Sequence, residues 1–501
     1  MNSRSSLVWP GATVVQVMSR VVKALFSARK SEVVLKARSF HATPQHKFEL
    51  SHKMEPSCPI PGVSPQWSSL DTAFADLKDD SKIFIQGGAA TPSLLVDGLY
   101  KYVVEKKLKN VELYHLFTLG PYPFFDPAAK GCFSSRSLFV CHNCRDAVNS
   151  GNADFYPIFL SEVPHLFRRE VITLDMALIS VSPPGRHGYC SLGTSVDITR
   201  SAIQNAKTIV GQVNPNVPVT RGDASIHSSH LDYLIYGTMP LHVTETPDPS
   251  FDEIRIGKLI SENLVDDGAT LELGIGSIPQ SVYRQLSNHQ HLGVHTEMFS
   301  DGLVDLVSLG VVTNAHKTQR PGKIVTSFVV GTRKVFDFID NNPLVDMCDI
   351  EWVASPERIA LNPKPTCINT CLAIDITGQV ASDSIGDRIY SGVGGLVDFT
   401  RGAAISTDGK GRPIIGLTSR TPSGEPRIVS MLKRGTGVVL TRAHVHYVVS
   451  EYGIAYLFGR NLRQRAYALI QIAHPDDREG DNGCCGYEPS VFDCGAGELE
   501  F

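Results

Sequence analysis

Three short segments of this 501-residue chain combine residue types that can carry chemistry. The first is Gly293-Val294-His295-Thr296-Glu297-Met298-Phe299-Ser300-Asp301-Gly302. An apolar, strand-like run enters Ser-Asp-Gly, which predicts Glu297 at a strand's carboxyl end beside a turn, the edge where open α/β sheets bind ligands. A carboxylate is already ionised at neutral pH and can act there as a nucleophile without a base to activate it. The second is Gly274-Ile275-Gly276-Ser277-Ile278-Pro279. Two glycines after a strand allow a sharp bend and close approach to a ligand, and the following helix offers free N–H groups to an anion. A dinucleotide fingerprint needs a third glycine where Pro279 stands, so an NAD site is not supported. The third is Ser391-Gly392-Val393-Gly394-Gly395, whose glycines let backbone N–H donors face an oxyanion. Each segment also has a structural reading: a surface Glu, a strand-to-helix turn, and a tight turn between strands.

The elements that must position these residues alternate in type. Ile83-Phe84-Ile85-Gln86 reads as a short buried strand, followed by Gly87-Gly88 and a helix with Pro92 in its first turn. Val111–Phe117 and Leu178–Val181 are further strand candidates. Ile254–Leu264 has helical periodicity, and Ala269–Leu273 reads as a strand ending in Gly274-Ile275-Gly276, an arrangement that echoes the one at 83–95. Strands alternating with helices predict an α/β protein. The length predicts two α/β domains, 67–246 and 250–479, meeting at Thr246-Pro247-Asp248-Pro249. Residues 41–66, rich in Ser, Pro and His, read as a linker or arm.

Composition narrows the function. Residues 1–40 hold Arg4, Arg20, Lys23, Arg29, Lys30, Lys36 and Arg38 against Glu32 alone, so the rest of the chain is more acidic than the overall −4. An acidic body is a poor nucleic-acid binder. No run of 18 or more apolar residues appears, so no membrane span is predicted. On a helical wheel Val14, Val17, Met18, Val21, Val22 and Leu25 share one face, with Arg20, Lys23 and Lys30 opposite. That amphipathic, acid-poor pattern predicts a mitochondrial transit peptide over 1–40, processed near Arg38-Ser39-Phe40-His41, and a matrix location. Eleven cysteines without regular spacing predict reduced thiols.

Two other patterns invite metal readings. Cys141-His142-Asn143-Cys144 is a single Cys-x-x-Cys pair without a second. His295-Thr296-Glu297 has the His-x-Glu of zinc deaminases but lacks the downstream Pro-Cys-x-x-Cys. Neither is taken as a metal site. Arg221-Gly222-Asp223 reads as a turn.

Taken together, the three segments resemble the acetyl-CoA hydrolase/transferase family. Ser182-Pro183-Pro184 with His187-Gly188, Val213-Asn214-Pro215-Asn216, Asp398-Phe399, Thr441–Tyr447, Asn461–Ala466 and Ala473-His474-Pro475-Asp476 carry the resemblance further. It covers about residues 65–479. It implies a class I CoA-transferase fold, with two similar open-sheet α/β domains and the active site between them. Glu297 would form the covalent CoA thioester, reached through an acyl-glutamyl anhydride. Gly274, Ile275, Gly276, Ser277 and Ile278 would line the CoA pocket, and Gly394 and Gly395 would lie by the thioester or oxyanion. The implied reaction moves CoA from acetyl-CoA to a short carboxylate such as succinate, in a homodimer, with CoA as substrate and no permanently bound cofactor or metal. Hydrolysis of acetyl-CoA, or an inactive family member, are the alternatives. Two departures stand out: Val353-Ala354-Ser355-Pro356 replaces the family's Val-Asn-Asp-Pro, which bears on rate and on the balance of transfer and hydrolysis, and the tail 480–501 looks unrelated to the family.

Overall fold

The computed structural model describes residues 55–479. The expected transit peptide, residues 41–54 of the expected arm and the atypical tail lie outside the described residues. Residues 55–66 are not a free linker: the Ile60 amide donates to Ser229 Oγ, and the Tyr189 hydroxyl donates to the Ser57 carbonyl.

Two sheets dominate the described residues. The first has eight parallel strands, ordered Gln66–Trp67, Tyr233–Tyr236, Thr208–Val213, Met176–Val181, Lys82–Ile85, Val111–His115, Phe133–Ser137 and Ala153–Phe155. Its central strand Met176–Val181 is buried at all six residues, as a parallel strand covered on both faces must be. The second sheet runs Gly293–Val294, Thr270–Leu273, Pro365–Thr370, Arg412–Gly416, Tyr447–Ser450 and Gly453–Tyr456, parallel except for its last pair. Residues of both sheets, Phe84 and Ile179 from one and Leu271 and Ile368 from the other, belong to one continuous apolar core. The molecule is thus a mixed α/β protein built on open, mainly parallel sheets.

Local sequence explains the helix that precedes the second sheet. Ser250 caps Phe251–Leu264: its hydroxyl accepts from the Glu253 amide, and Glu253 accepts from the Ser250 amide at 2.7 Å. A cap of this kind contributes about 1 kcal/mol. Ile256, Ile260 and Leu264, four apart, form the buried stripe.

Three details differ from the sequence reading. Pro92 is the N-cap of Ser93–Lys106 rather than part of its first turn, because its ψ of 76° is not helical. Arg221-Gly222 is a short strand paired with Val345–Met347, not a turn. The strand expected to run into Glu297 is broken into Gly293–Val294 and Met298–Phe299, which join different sheets. Glu297 therefore sits at a crossover between two short strands.

Residues flanking the last strand of the first sheet hold the loop that precedes the Leu396–Ala404 helix. Arg145 Nε donates to the Tyr390 carbonyl at 2.7 Å, Asn149 Nδ2 to the Ile389 carbonyl at 2.8 Å, and the Leu160 amide to the Gly394 carbonyl at 3.1 Å.

Candidate active site

A cavity of about 440 Å³ gathers every residue singled out above as a site candidate: Glu297, Gly274–Ile278, and Gly394 with Gly395. Three chain crossings build it. After Thr270–Leu273, Gly276 adopts φ +113°, a value that side chains rarely tolerate, and the Ser277–Gln285 helix begins. A Cβ placed on Gly274 or Gly276 would meet nothing within 4 Å, so this turn opens onto the cavity. The predicted anion site at the helix start is partly taken by the protein itself. The Glu253 carboxylate accepts from the Ser277 hydroxyl, so one side chain serves the starts of two helices.

Glu297 is held through its backbone. Its carbonyl accepts from the Ser327 and Phe328 amides at 3.1 and 3.2 Å and from Thr326 Oγ1 at 3.2 Å. Beside it, Thr296 Oγ1 donates to the Leu273 carbonyl. The carboxylate meets the third crossing at Gly395, where a Cβ would overlap Oε2. Only glycine allows that approach, and it brings the Gly395 amide against the carboxylate. Glu297 is half-buried towards the cavity, yet protein surrounds its charge. Burial and then the Asp398 charge push its carboxyl up to about 8, the Gly395 amide pulls the other way, and Asp197 adds a smaller upward push. A carboxylate this basic is a stronger nucleophile than an ordinary one once ionised.

More acid groups surround it. Asp398, pushed up to about 7 mainly by burial, accepts from the Ser161 hydroxyl at 2.8 Å and the Ser161 amide at 3.2 Å. Asp197 is raised to about 6 by burial. Glu272 is held well above the usual carboxylate range by burial and then by Glu297, and accepts from Asn369 Nδ2 at 2.8 Å.

The sequence reading assigned no role to Glu272, Asn369, Asp398 or Phe139, whose ring packs on Gly392 and Gly394 and lines the cavity. A signal for Glu272 existed, since an acid inside the apolar run Ala269–Leu273 must be buried. Ala354 is fully buried in the core and does not line the cavity; the amide that does is Asn369. His295 stacks on Trp352, donates from Nε2 to the Val353 carbonyl at 2.7 Å, and receives Asn362 Nδ2 at Nδ1. Burial and then the Lys317 charge push it down to about 3, so it is a neutral, fully engaged packing residue. Cys141 and Cys144 lie 3.7 Å apart in a small apolar cluster with Phe117, Phe125 and Phe155.

A nucleophilic carboxylate, a backbone donor in contact with it and a cavity opened by glycines suit acyl transfer. Comparison with known proteins agrees. The acetyl-CoA hydrolase/transferase N-terminal domain matches residues 66–241, and the C-terminal domain of the same name matches residues 331–480. A succinyl-CoA:acetate/propanoyl-CoA:succinate CoA transferase of Fasciola hepatica is 61% identical over 90% of this chain and 94% of its own length. A 4-hydroxybutyrate coenzyme A transferase of Clostridium kluyveri is 42% identical over 82% of this chain and 95% of its own. Among solved structures, a 4-hydroxybutyrate CoA-transferase from Porphyromonas gingivalis superposes with a TM-score of 0.70 at 36% identity, covering 82% of this chain and 95% of that one. RipA from Yersinia pestis superposes with a TM-score of 0.77 at 29% identity and the same coverage.

Proposed function

This chain belongs to the acetyl-CoA hydrolase/transferase family and is a CoA-transferase; from that premise we propose that it exchanges CoA between acetyl-CoA and succinate through covalent intermediates on Glu297. The observation that carries the proposal is the Glu297 carboxylate pressed against Gly395 inside the shared cavity. The ionised carboxylate attacks the thioester carbonyl, the C–S bond breaks, and an acyl-glutamyl anhydride and CoA thiolate result. The thiolate then attacks the glutamyl carbonyl, releases acetate and leaves a glutamyl-CoA thioester. Succinate attacks that thioester, forming a second anhydride and again freeing the thiolate. Return of the thiolate to the succinyl carbonyl yields succinyl-CoA and restores the carboxylate. No net proton is consumed. At each tetrahedral stage negative charge develops on an oxygen, and the Gly395 amide, which already faces the Glu297 carboxylate, is a donor placed to receive it, with Gly394 beside it in the cavity wall. Ile275, Ile278, Val393 and Leu396 give the cavity apolar walls, which keep water from the anhydride and favour transfer over hydrolysis.

The test is product analysis with acetyl-CoA in the presence and absence of succinate. Succinyl-CoA formed only with succinate, together with a CoA adduct on the Glu297 peptide, is the expected result. Free CoA accumulating equally in both tubes would make the protein a hydrolase and overturn the proposal. The basic amphipathic leader supports a matrix location, which amino-terminal sequencing of the mature protein checks. A homodimer is proposed on the family resemblance, and multi-angle light scattering of the purified protein checks it.

A further inference from the structure

Among the described residues, three acids, Glu253, Glu272 and Glu297, and one base, Arg427, line the catalytic cavity. Arg427 is thus the cation in a predominantly acidic space. Its backbone is fixed on both sides, since its amide donates to the Ser419 carbonyl and its carbonyl accepts from the Ile374 amide at 2.8 Å each. Its side chain is not similarly engaged. Nε is buried and has no hydrogen-bond partner, and the guanidinium forms no ion pair among the described residues. Glu253 feels its charge through space but is already bonded to Ser277 and Ser250. A planar, permanently charged fork left unpaired in a cavity is suited to a carboxylate brought in by substrate.

The chemistry proposed above, on which this argument rests, says which carboxylate. A monocarboxylate loses its charge when its carboxylate becomes part of the anhydride. A dicarboxylate keeps its second carboxylate ionised through every intermediate, inside a cavity lined by Glu253, Glu272 and Glu297. That group needs a counter-charge that does not titrate, and Arg427 is the one lining the cavity. The Ser277 hydroxyl at the Ser277–Gln285 helix start is already bonded to Glu253, which leaves that start less free to hold a phosphate of CoA beside Arg427. We infer that Arg427 is a specificity-determining residue that pairs with the distal carboxylate of a dicarboxylate substrate and so lets this cavity accept succinate beside monocarboxylates.

The experiment compares succinate with propanoate as acceptors from acetyl-CoA in the unaltered enzyme, in Arg427→Met and in Arg427→Lys, on samples with matching melting temperatures. The quantity read is the ratio of kcat/KM for succinate to kcat/KM for propanoate. The ratio is expected to fall about 100-fold in Arg427→Met and to recover in part in Arg427→Lys, which keeps the charge but loses the fork. An unchanged ratio in Arg427→Met overturns the inference, and a rise in KM for acetyl-CoA at constant ratio reassigns Arg427 to the CoA phosphates. Absence of transfer to either acid by the unaltered enzyme overturns the transfer reading itself, and the inference with it.

Discussion

In the first sheet the Lys82–Ile85 strand leads through Gln86-Gly87-Gly88 towards the helix at Ser93; in the second, Thr270–Leu273 leads through Gly274-Ile275-Gly276 to the helix at Ser277. Around the first turn space is full. A Cβ on Gly87 would come within 2.5 Å of the Phe117 carbonyl oxygen, and one on Gly88 within 2.8 Å of Ser195 Oγ. Gln86 ties the region down, donating to the Leu192 and Ser195 carbonyls and accepting from the Ser180 amide. Around Gly274 and Gly276 there is no protein to meet. The same sequence signature therefore marks close packing in one half and room for a ligand in the other, and only the neighbours distinguish the two.

The covalent chemistry proposed for the second turn's cavity has its largest consequence at Glu297. Glu297→Gln should lower acyl-CoA exchange by at least about 10⁴-fold, as loss of a nucleophile does. Exchange surviving within tenfold of the unaltered protein would break the assignment.

Next come two glycine substitutions with opposite signatures. Gly395→Ala forces the carboxylate aside and should reduce kcat by about 100-fold, in line with the cost of misplacing a reacting group by about 1 Å. Gly87→Ala pushes a side chain into a backbone carbonyl and should cost about 1–3 kcal/mol in denaturant unfolding, with kcat per folded molecule unchanged. Similar losses of both kinds in both variants would erase the distinction between the turns.

A third effect is in pH. Glu297 must be ionised to attack, so single-turnover acylation should rise with pH to a plateau above about 8. Asp398→Asn removes the charge that raises Glu297 most, and should move that midpoint towards lower pH; an unmoved midpoint would separate the two groups. Stability has the opposite sign. Between the ordinary value of 4.5 and about 8 the folded protein keeps a proton that the unfolded chain has lost, so this group's contribution to stability falls as pH rises through that window. Glu297→Gln should flatten that slope, measured by unfolding at pH 5 and pH 8.

The smallest effect sharpens the comparison most. Gly274→Ala has no neighbour to strike and should change stability by less than about 1 kcal/mol. Its methyl group should nevertheless raise KM for acetyl-CoA several-fold. A melting temperature lowered with unchanged KM would show that this turn, too, is structural.

The α/β alternation was legible because buried parallel strands are near-continuous apolar runs, as at Met176–Val181. Glu297 and both glycine segments were legible as motifs. Their meeting was not, because it depends on crossovers that bring residues 274, 297 and 395 together from three elements. The break at His295–Glu297 escaped notice because its residues suit a strand; hydrogen bonds from Thr326, Ser327 and Phe328, set by tertiary structure, divide it. Ala354 drew attention for differing from a family pattern, whereas Asn369 lay unremarked inside a strand. Arg427 carried no local signal at all. What marks it is a guanidinium whose Nε has no hydrogen-bond partner among the described residues, a property of the tertiary structure alone.

The anchoring of the 389–395 loop by residues flanking the last strand of the first sheet has a consequence for how the enzyme comes into being. Ser161 and Asp398 are 237 residues apart in sequence, and Arg145 and Tyr390 are 245 apart. Contacts so remote close late in folding. A nascent chain therefore already carries its nucleophile, and most of the cavity wall, before the loop that faces Glu297 is clamped. On the proposed mechanism, catalytic competence arrives only when that loop docks.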